Sequence, residues 1–207
     1  MTSQLRLYNA ALNLCGETTL ADLAEARSAR YILDEIWANG AVLACLEQGQ
    51  WNFGIRASQL DYDPSIDPQF ANGGYQYAFI VPDDWVRWTN ICLDPYYLTA
   101  LEQYQTDNNH LVCDWQTLYV RYVSSDADYG MDMSLWPQTF CRFVESYLAF
   151  HASVQMNQSD AKQVKLEAWM KKKLVDAGAK DAQQEPEKER PPGKWAMSRR
   201  WARPRGF

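Results

Sequence analysis

No apolar run in this chain approaches the roughly 20 residues needed to cross a bilayer, so no membrane span is expected. Histidine is scarce: His110 and His151 are the two in 207 residues, which leaves little material for acid-base catalysis near neutral pH. The five cysteines, Cys15, Cys45, Cys92, Cys113 and Cys141, are scattered and form no C-x-x-C pair, so neither a zinc site nor a redox couple is suggested. Cys15, Cys45 and Cys141 fall in helical patterns, where a thiol behaves as a small buried hydrophobe. An odd thiol count without a secretory leader fits synthesis in a reducing cytoplasm. The chain has no phosphate-binding glycine loop, no dinucleotide fingerprint and no internal repeat.

Basic charge is nearly absent from most of the chain. Residues 1–184 carry 13 Lys and Arg against 23 Asp and Glu, whereas residues 185–207 carry 7 against 3. An acidic body repels nucleic acid over most of its surface; a basic end attracts phosphate or an acidic protein. The chain holds nine Trp, twelve Tyr and seven Phe, but between residues 75 and 125 Arg87 and Arg121 are the sole cations. Those aromatics therefore read as core and cross-strand pairs rather than as a base-stacking platform.

The stretch from Glu25 to Phe53 organises the reading of the rest. Ile32, Ile36, Leu43 and Leu46, with Leu33, Trp37 and Ala44 alongside, keep spacings of three and four and predict one long helix, closed by Gly49 as a left-handed cap. Alternation of Trp51, Phe53, Ile55 and Ala57 with polar residues then predicts a strand beginning at Trp51. Upstream, Ser3 caps a first helix ending at Gly16, and Asp22 with Glu25 form a capping pair for the second.

Downstream, Asp63-Pro64, Asp67-Pro68 and Gly73-Gly74 predict a loop. Strands are expected at Tyr75–Val81, Trp85–Leu93, Tyr97–Gln105, His110–Cys113 and Thr117–Val123, with a hairpin turn at Asp107-Asn108-Asn109. Ser134, with Pro137 in the first turn, opens a helix running to about Gln155. Ser159 caps a last helix, marked by Val164, Leu166, Trp169, Met170 and Leu174, that stops before Gly178. Beyond Lys180 aliphatic residues almost vanish, and a disordered tail is expected.

The expected fold is thus α+β, mainly α: a four-helix bundle with an antiparallel β-rich insertion between helices 2 and 3 and an extended C-terminal tail. Its divisions are residues 1–50 (first bundle helices), 51–125 (β-rich insertion), 133–180 (last bundle helices) and 181–207 (tail). No catalytic, cofactor-binding or metal site is expected. His151 lies on an apolar-rich helix as a packing residue and His110 beside a turn; Asp83-Asp84 and Asp126 with Asp128 lack EF-hand spacing and suit turns.

Four segments resemble a known family: N-x-A-L-x-L-x-G-E at Asn9–Glu17, L-x-x-x-x-W-N-F at Leu46–Phe53, Y-A-F-I-V-P-D-D-W at Tyr77–Trp85, and W-P-x-x-F at Trp136–Phe140 followed by Y-L-A at Tyr147–Ala149. In this order they resemble the head-to-tail adaptor proteins of tailed bacteriophages, in particular the tail tubular protein A group of short-tailed phages. The resemblance spans about residues 5–160.

It implies a structural virion protein, made in the host cytoplasm and placed at the head-tail junction. Copies would form a ring, usually of twelve, under the portal protein and above a tail or nozzle protein, with DNA passing through the lumen without specific binding. No enzyme activity and no cofactor come with it. An acidic lumen suits that passage, since phosphate contacts would retard the DNA. The tail departs from the family pattern. Trp195 and Trp201 among Arg199, Arg200, Arg203 and Arg205 have the residue types of an interface anchor toward the portal or a neighbouring subunit. The competing expectation is a nucleic-acid-binding protein whose basic tail clamps phosphates.

Overall fold

A computed structural model describes residues 2–66, 74–107, 109–156 and 159–184. Among them the chain is α+β, with five α-helices and two small antiparallel sheets. Helix α1 (Gln4–Cys15) starts as expected, the Ser3 side chain accepting the Arg6 amide, and ends at Gly16. Asp22 and Glu25 do bond nearby amides, of Ala24 and Ala21, but no helix begins there. Helix α2 starts at Ser28 and runs to Ala38, with Arg27 at its N-cap and no side-chain cap.

The single long helix is the main correction. Gly40, at φ +86°, interrupts it, and α3 (Ala41–Glu47) follows as a separate helix. A glycine takes that left-handed conformation without the clash a Cβ would cause. The apolar spacing carries across the break, which is why periodicity alone reads it as continuous. The bend also turns Leu43 outward, leaving it 36% exposed.

The handover to sheet also differs in detail. Asn52–Gly54 forms one turn of 3-10 helix, and strand β1 (Ile55–Asp61) starts after it. Trp51 is therefore not a strand residue but a plug. It is 2% exposed, its indole N–H donates to the Cys45 carbonyl at 3.1 Å, and its ring meets Phe140 edge-on at 4.9 Å.

Strands β2 (Tyr77–Ile80), β3 (Trp85–Cys92), β4 (Gln105–Asp107), β5 (His110–Cys113) and β6 (Thr117–Ser124) make the two sheets, ordered β1-β6-β3 and β2-β5-β4. The expected Tyr97–Gln105 strand is mostly loop: a bridge joins Ala100 to Cys92, and of the expected span only Gln105 belongs to β4. Asp94 takes up the amides that a strand would have offered to a neighbour, as described below.

β6 is the wall between two cores. Leu118, Val120 and Tyr122 face a cluster with Phe79, Ile91, Leu111 and Cys113, while Val123 points the other way into the helical core. Period-two alternation produces both faces from one strand.

Helix α4 starts at Gln138, not Ser134, with Pro137 at its N-cap, and runs to Gln155. Ser134 instead donates its amide to Asp132 in the preceding turn. Every other helix packs on α4. Helix α5 (Asp160–Ala182) passes straight through Gly178, because a glycine inside a helix costs only about 1 kcal/mol when packing compensates. Its Asp181 accepts the Asn52 amide through both carboxylate oxygens at 3.1 Å, tying the helix end to the Trp51 junction. The expected apolar stripe of α5 is only partly inward: Leu166 is buried, but Val164 is 64% and Trp169 42% exposed.

Because Trp51 touches Phe53, Phe140 and Phe143, no small rearrangement refills its place. Trp51→Ala is expected to lower stability by about 3–5 kcal/mol in chemical denaturation. A loss below about 1 kcal/mol, the size of ordinary surface changes, would show that the junction does not depend on this ring.

Candidate interaction surfaces

The best-connected polar group is Asp84, in the turn between β2 and β3. Its carboxylate accepts from Arg56 Nη1 at 2.9 Å, Tyr122 Oη at 3.0 Å and Ser124 Oγ at 2.5 Å, while its carbonyl accepts from the Ser125 amide at 2.7 Å. Burial alone would push the carboxyl up. The hydrogen bonds from Ser124, Arg56 and Tyr122 outweigh it and hold the group below the usual carboxylate range. Arg56 also reaches Asp126 at 3.6 Å and lies over the Tyr129 ring. These acids thus clamp the strand ends to the segment leading toward α4. Among the described residues no group of three or more His, Cys, Asp or Glu could hold a metal ion.

The remaining titratable groups are set up for packing. His151 lies at 4.3 Å from the Tyr147 ring and 5.2 Å from Phe150, and burial lowers its proton affinity. Its cleft, about 280 Å³, is shaped by Ile36, Asn39, Ala41, Tyr147, Val154 and Gln155, with no carboxylate to orient or relay a proton. All five cysteines are buried. Burial pushes the thiols of Cys15, Cys45, Cys113 and Cys141 up, opposite to what a nucleophile requires.

Two exposed features join apolar side chains to a defined local geometry. The first is a groove between α1 and α5 of about 620 Å³, lined by Leu14, Ala161, Leu166 and Trp169 with Lys162 and Lys165 at its edge. It continues past Trp169 into a second hollow bordered by Arg142, Glu145 and Lys173. Lys173 stands 4.6 Å from the Trp169 ring centre, a cation-π contact that fixes the indole in place. Burial pushes the Glu145 carboxyl up, against the opposing charges of Arg6 and Arg142.

The second feature is the tip of the loop after β3. Asp94 accepts the amides of Tyr96 at 2.9 Å, Leu98 at 3.1 Å and Thr99 at 2.6 Å, and Tyr97 sits at φ +58°. A bulky residue in the left-handed region is strained and persists only where its surroundings fix it. Here the Tyr97 hydroxyl reaches the Val120 carbonyl at 3.5 Å and Arg121 lies over its ring. The loop therefore holds Tyr96, 79% exposed, and Leu98, 84% exposed, out in solvent.

Trp195, Arg199, Arg200, Trp201, Arg203 and Arg205, the interface residues expected from sequence, lie outside the described residues. Sequence reading missed both exposed features. It took Trp169 as core because its spacing fits the stripe, and read the tip as strand, although Asp94-Pro95 already signalled a turn. No family model matches the chain, and no curated protein matches it.

Asp84→Asn weakens three hydrogen bonds at once and is expected to cost about 1–3 kcal/mol at pH 7. Since the folded carboxyl titrates lower than the unfolded one, its contribution is complete above the unfolded value and is lost as pH falls through the folded value. Denaturation curves of wild type and variant should therefore converge as pH falls below the ordinary aspartate value of about 3.9. A gap that stays constant with pH would assign the loss to packing instead.

Proposed function

We propose that this chain is a structural virion protein, the head-to-tail adaptor subunit of a tailed bacteriophage, forming a ring that joins the portal to the tail and lets DNA pass. The observation that carries the reading is where its family-like segments meet. Trp51 and Phe53 come from one segment and Phe140 from another more than 80 residues away, yet they form one aromatic cluster, with Phe53 4.8 Å and Trp136 5.1 Å from Phe140. Asp84 of the third segment closes the strand ends, and Asn9 of the first holds Leu20 through two hydrogen bonds, at 2.7 and 3.0 Å. Segments chosen for resemblance alone thus carry the contacts on which the fold rests.

In this reading α1, the bent α2–α3 arm, α4 and α5 act as a four-helix bundle, and the sheets are the insertion that reaches a neighbour or the tail. The acidic body suits a lumen that does not grip phosphate. The basic end, with Trp195, Arg199, Arg200, Trp201, Arg203 and Arg205, docks on an acidic surface of the portal or of a neighbouring subunit. Five cations and no acid in the last 17 residues also favour a second reading, in which that end binds nucleic acid.

Mixed with its cognate portal, the purified protein is expected to form a discrete ring visible by electron microscopy; persistent free monomer overturns the adaptor reading. Truncation after Gln184 keeps Asp181, and with it the tie to Asn52. The truncated protein is expected to fold normally and to lose about tenfold or more in portal affinity, the scale of losing two interface anchors. Unchanged affinity would remove the tail from the interface. DNA binding that falls steeply with salt in the full chain and vanishes on truncation would favour the nucleic-acid reading instead.

A further inference from the structure

We infer that the Tyr96–Leu98 tip of one copy seats in the α1/α5 groove of a second copy, making the head-to-tail contact by which subunits associate. The inference rests on the ring reading above and names the surfaces that close it. β3, which leads to the tip, packs on β6 and α3, whereas α1 and α5, which form the groove, pack on α4. β3 carries the tip about 20 Å from the Trp51 junction at roughly 3.3 Å per residue. α5 carries the groove a comparable 20–30 Å from it at roughly 1.5 Å per residue. Both are open in the single chain, with Trp169, Tyr96 and Leu98 exposed.

Charge decides the occupant. Around the tip stand Asp94, Glu102 and Asp114, against the cation of Arg121 over the Tyr97 ring. The groove and its continuation are bordered by Lys162, Lys165, Arg142 and Lys173 against one acid, Glu145. An acidic, apolar tip fits that rim, whereas the basic residues 190–207 of the same chain would meet like charge. Nucleic acid fits the cations but not the Leu14, Ala161 and Leu166 floor.

Preorganisation adds to the match. Asp94 fixes the loop backbone before docking, and Lys173 fixes Trp169, so little further ordering is lost on association. The two surfaces differ, so the contact is heterologous and repeats from copy to copy until it closes a ring or extends a filament.

The test places Leu98→Cys and Lys165→Cys in one chain and treats it with a short bismaleimide, both in portal-bound rings and in concentrated protein alone. The five native thiols are buried, so the introduced pair is the one that reacts. A ladder of linked dimers, trimers and higher species is expected, absent from either single variant. Leu98→Asp changes a residue already in solvent and should leave the melting transition unmoved while weakening copy-to-copy association about tenfold or more, as loss of a central anchor does.

Rings on the portal without a ladder would overturn this contact and leave the adaptor reading standing. Absence of rings would overturn the adaptor reading, and the ladder in concentrated protein would then decide the contact by itself: present, it stands; absent, it falls. Loss of DNA binding on Lys165→Glu, with no ladder from the double-cysteine chain, would assign the groove to nucleic acid and overturn the inference.

Discussion

The packing of Trp51 against Phe140 is the contact on which the rest of the structure depends. Trp51 ends the N-terminal helices, Phe140 opens α4, and the strands begin four residues after the tryptophan. A single edge-on ring contact therefore fixes where the helical half stops and the sheets start. Asp181 binds the neighbouring Asn52 amide, so the far end of the last helix returns to the same point. The gain exceeds that of ordinary apolar burial, because the indole also satisfies the Cys45 carbonyl, which would otherwise lack that partner.

A second constraint, Asp84, holds the strands to that junction. Its partners Arg56, Tyr122 and Ser124 belong to β1 and β6, so one carboxylate ties together two strands and its own turn. β6 then separates the two cores, with Tyr122 on the sheet side and Val123 on the helix side. Gly130 completes the seam: a Cβ there would collide with the Ser124 carbonyl oxygen and press on Leu46. Its own carbonyl accepts the Trp136 indole at 2.9 Å, which leads the chain into α4.

These constraints bear on function by what they leave over. His151, the buried thiols and the turn carboxylates of Asp84, Asp94 and Asp126 are occupied in packing or in internal hydrogen bonds. Among the exposed features are a largely basic-rimmed apolar groove between α1 and α5 and an ordered apolar tip after β3, two distinct surfaces of the kind the proposed ring subunit would use. The acidic body and basic C-terminal end extend the same division, one part repelling phosphate and the other available to an acidic partner.

Sequence by itself determined the α+β class, the order of helices before and after the strands, the Ser3 and Gly16 ends of α1, the hairpin at Asp107–Asn109, and Trp51 as a residue of the junction. Those features rest on short-range physics: capping hydrogen bonds, turn chemistry, and the period of apolar residues over a few turns or strand pairs. It misread the break at Gly40, the start of β1, the cap of α4 and the passage of α5 through Gly178. At Gly40 and Ser134 a local backbone conformation and a local turn hydrogen bond decided the outcome, whereas the end of α5 is tied to Asn52 from far along the chain. Only the tertiary structure decided that α4 is the helix all others share, that Asp84 ties strand ends together through Arg56, Tyr122 and Ser124, and that Trp169 and Leu98 face solvent. A periodic pattern states that one face is apolar; whether that face finds a partner within the same chain depends on packing between segments more than 80 residues apart, which no local pattern encodes.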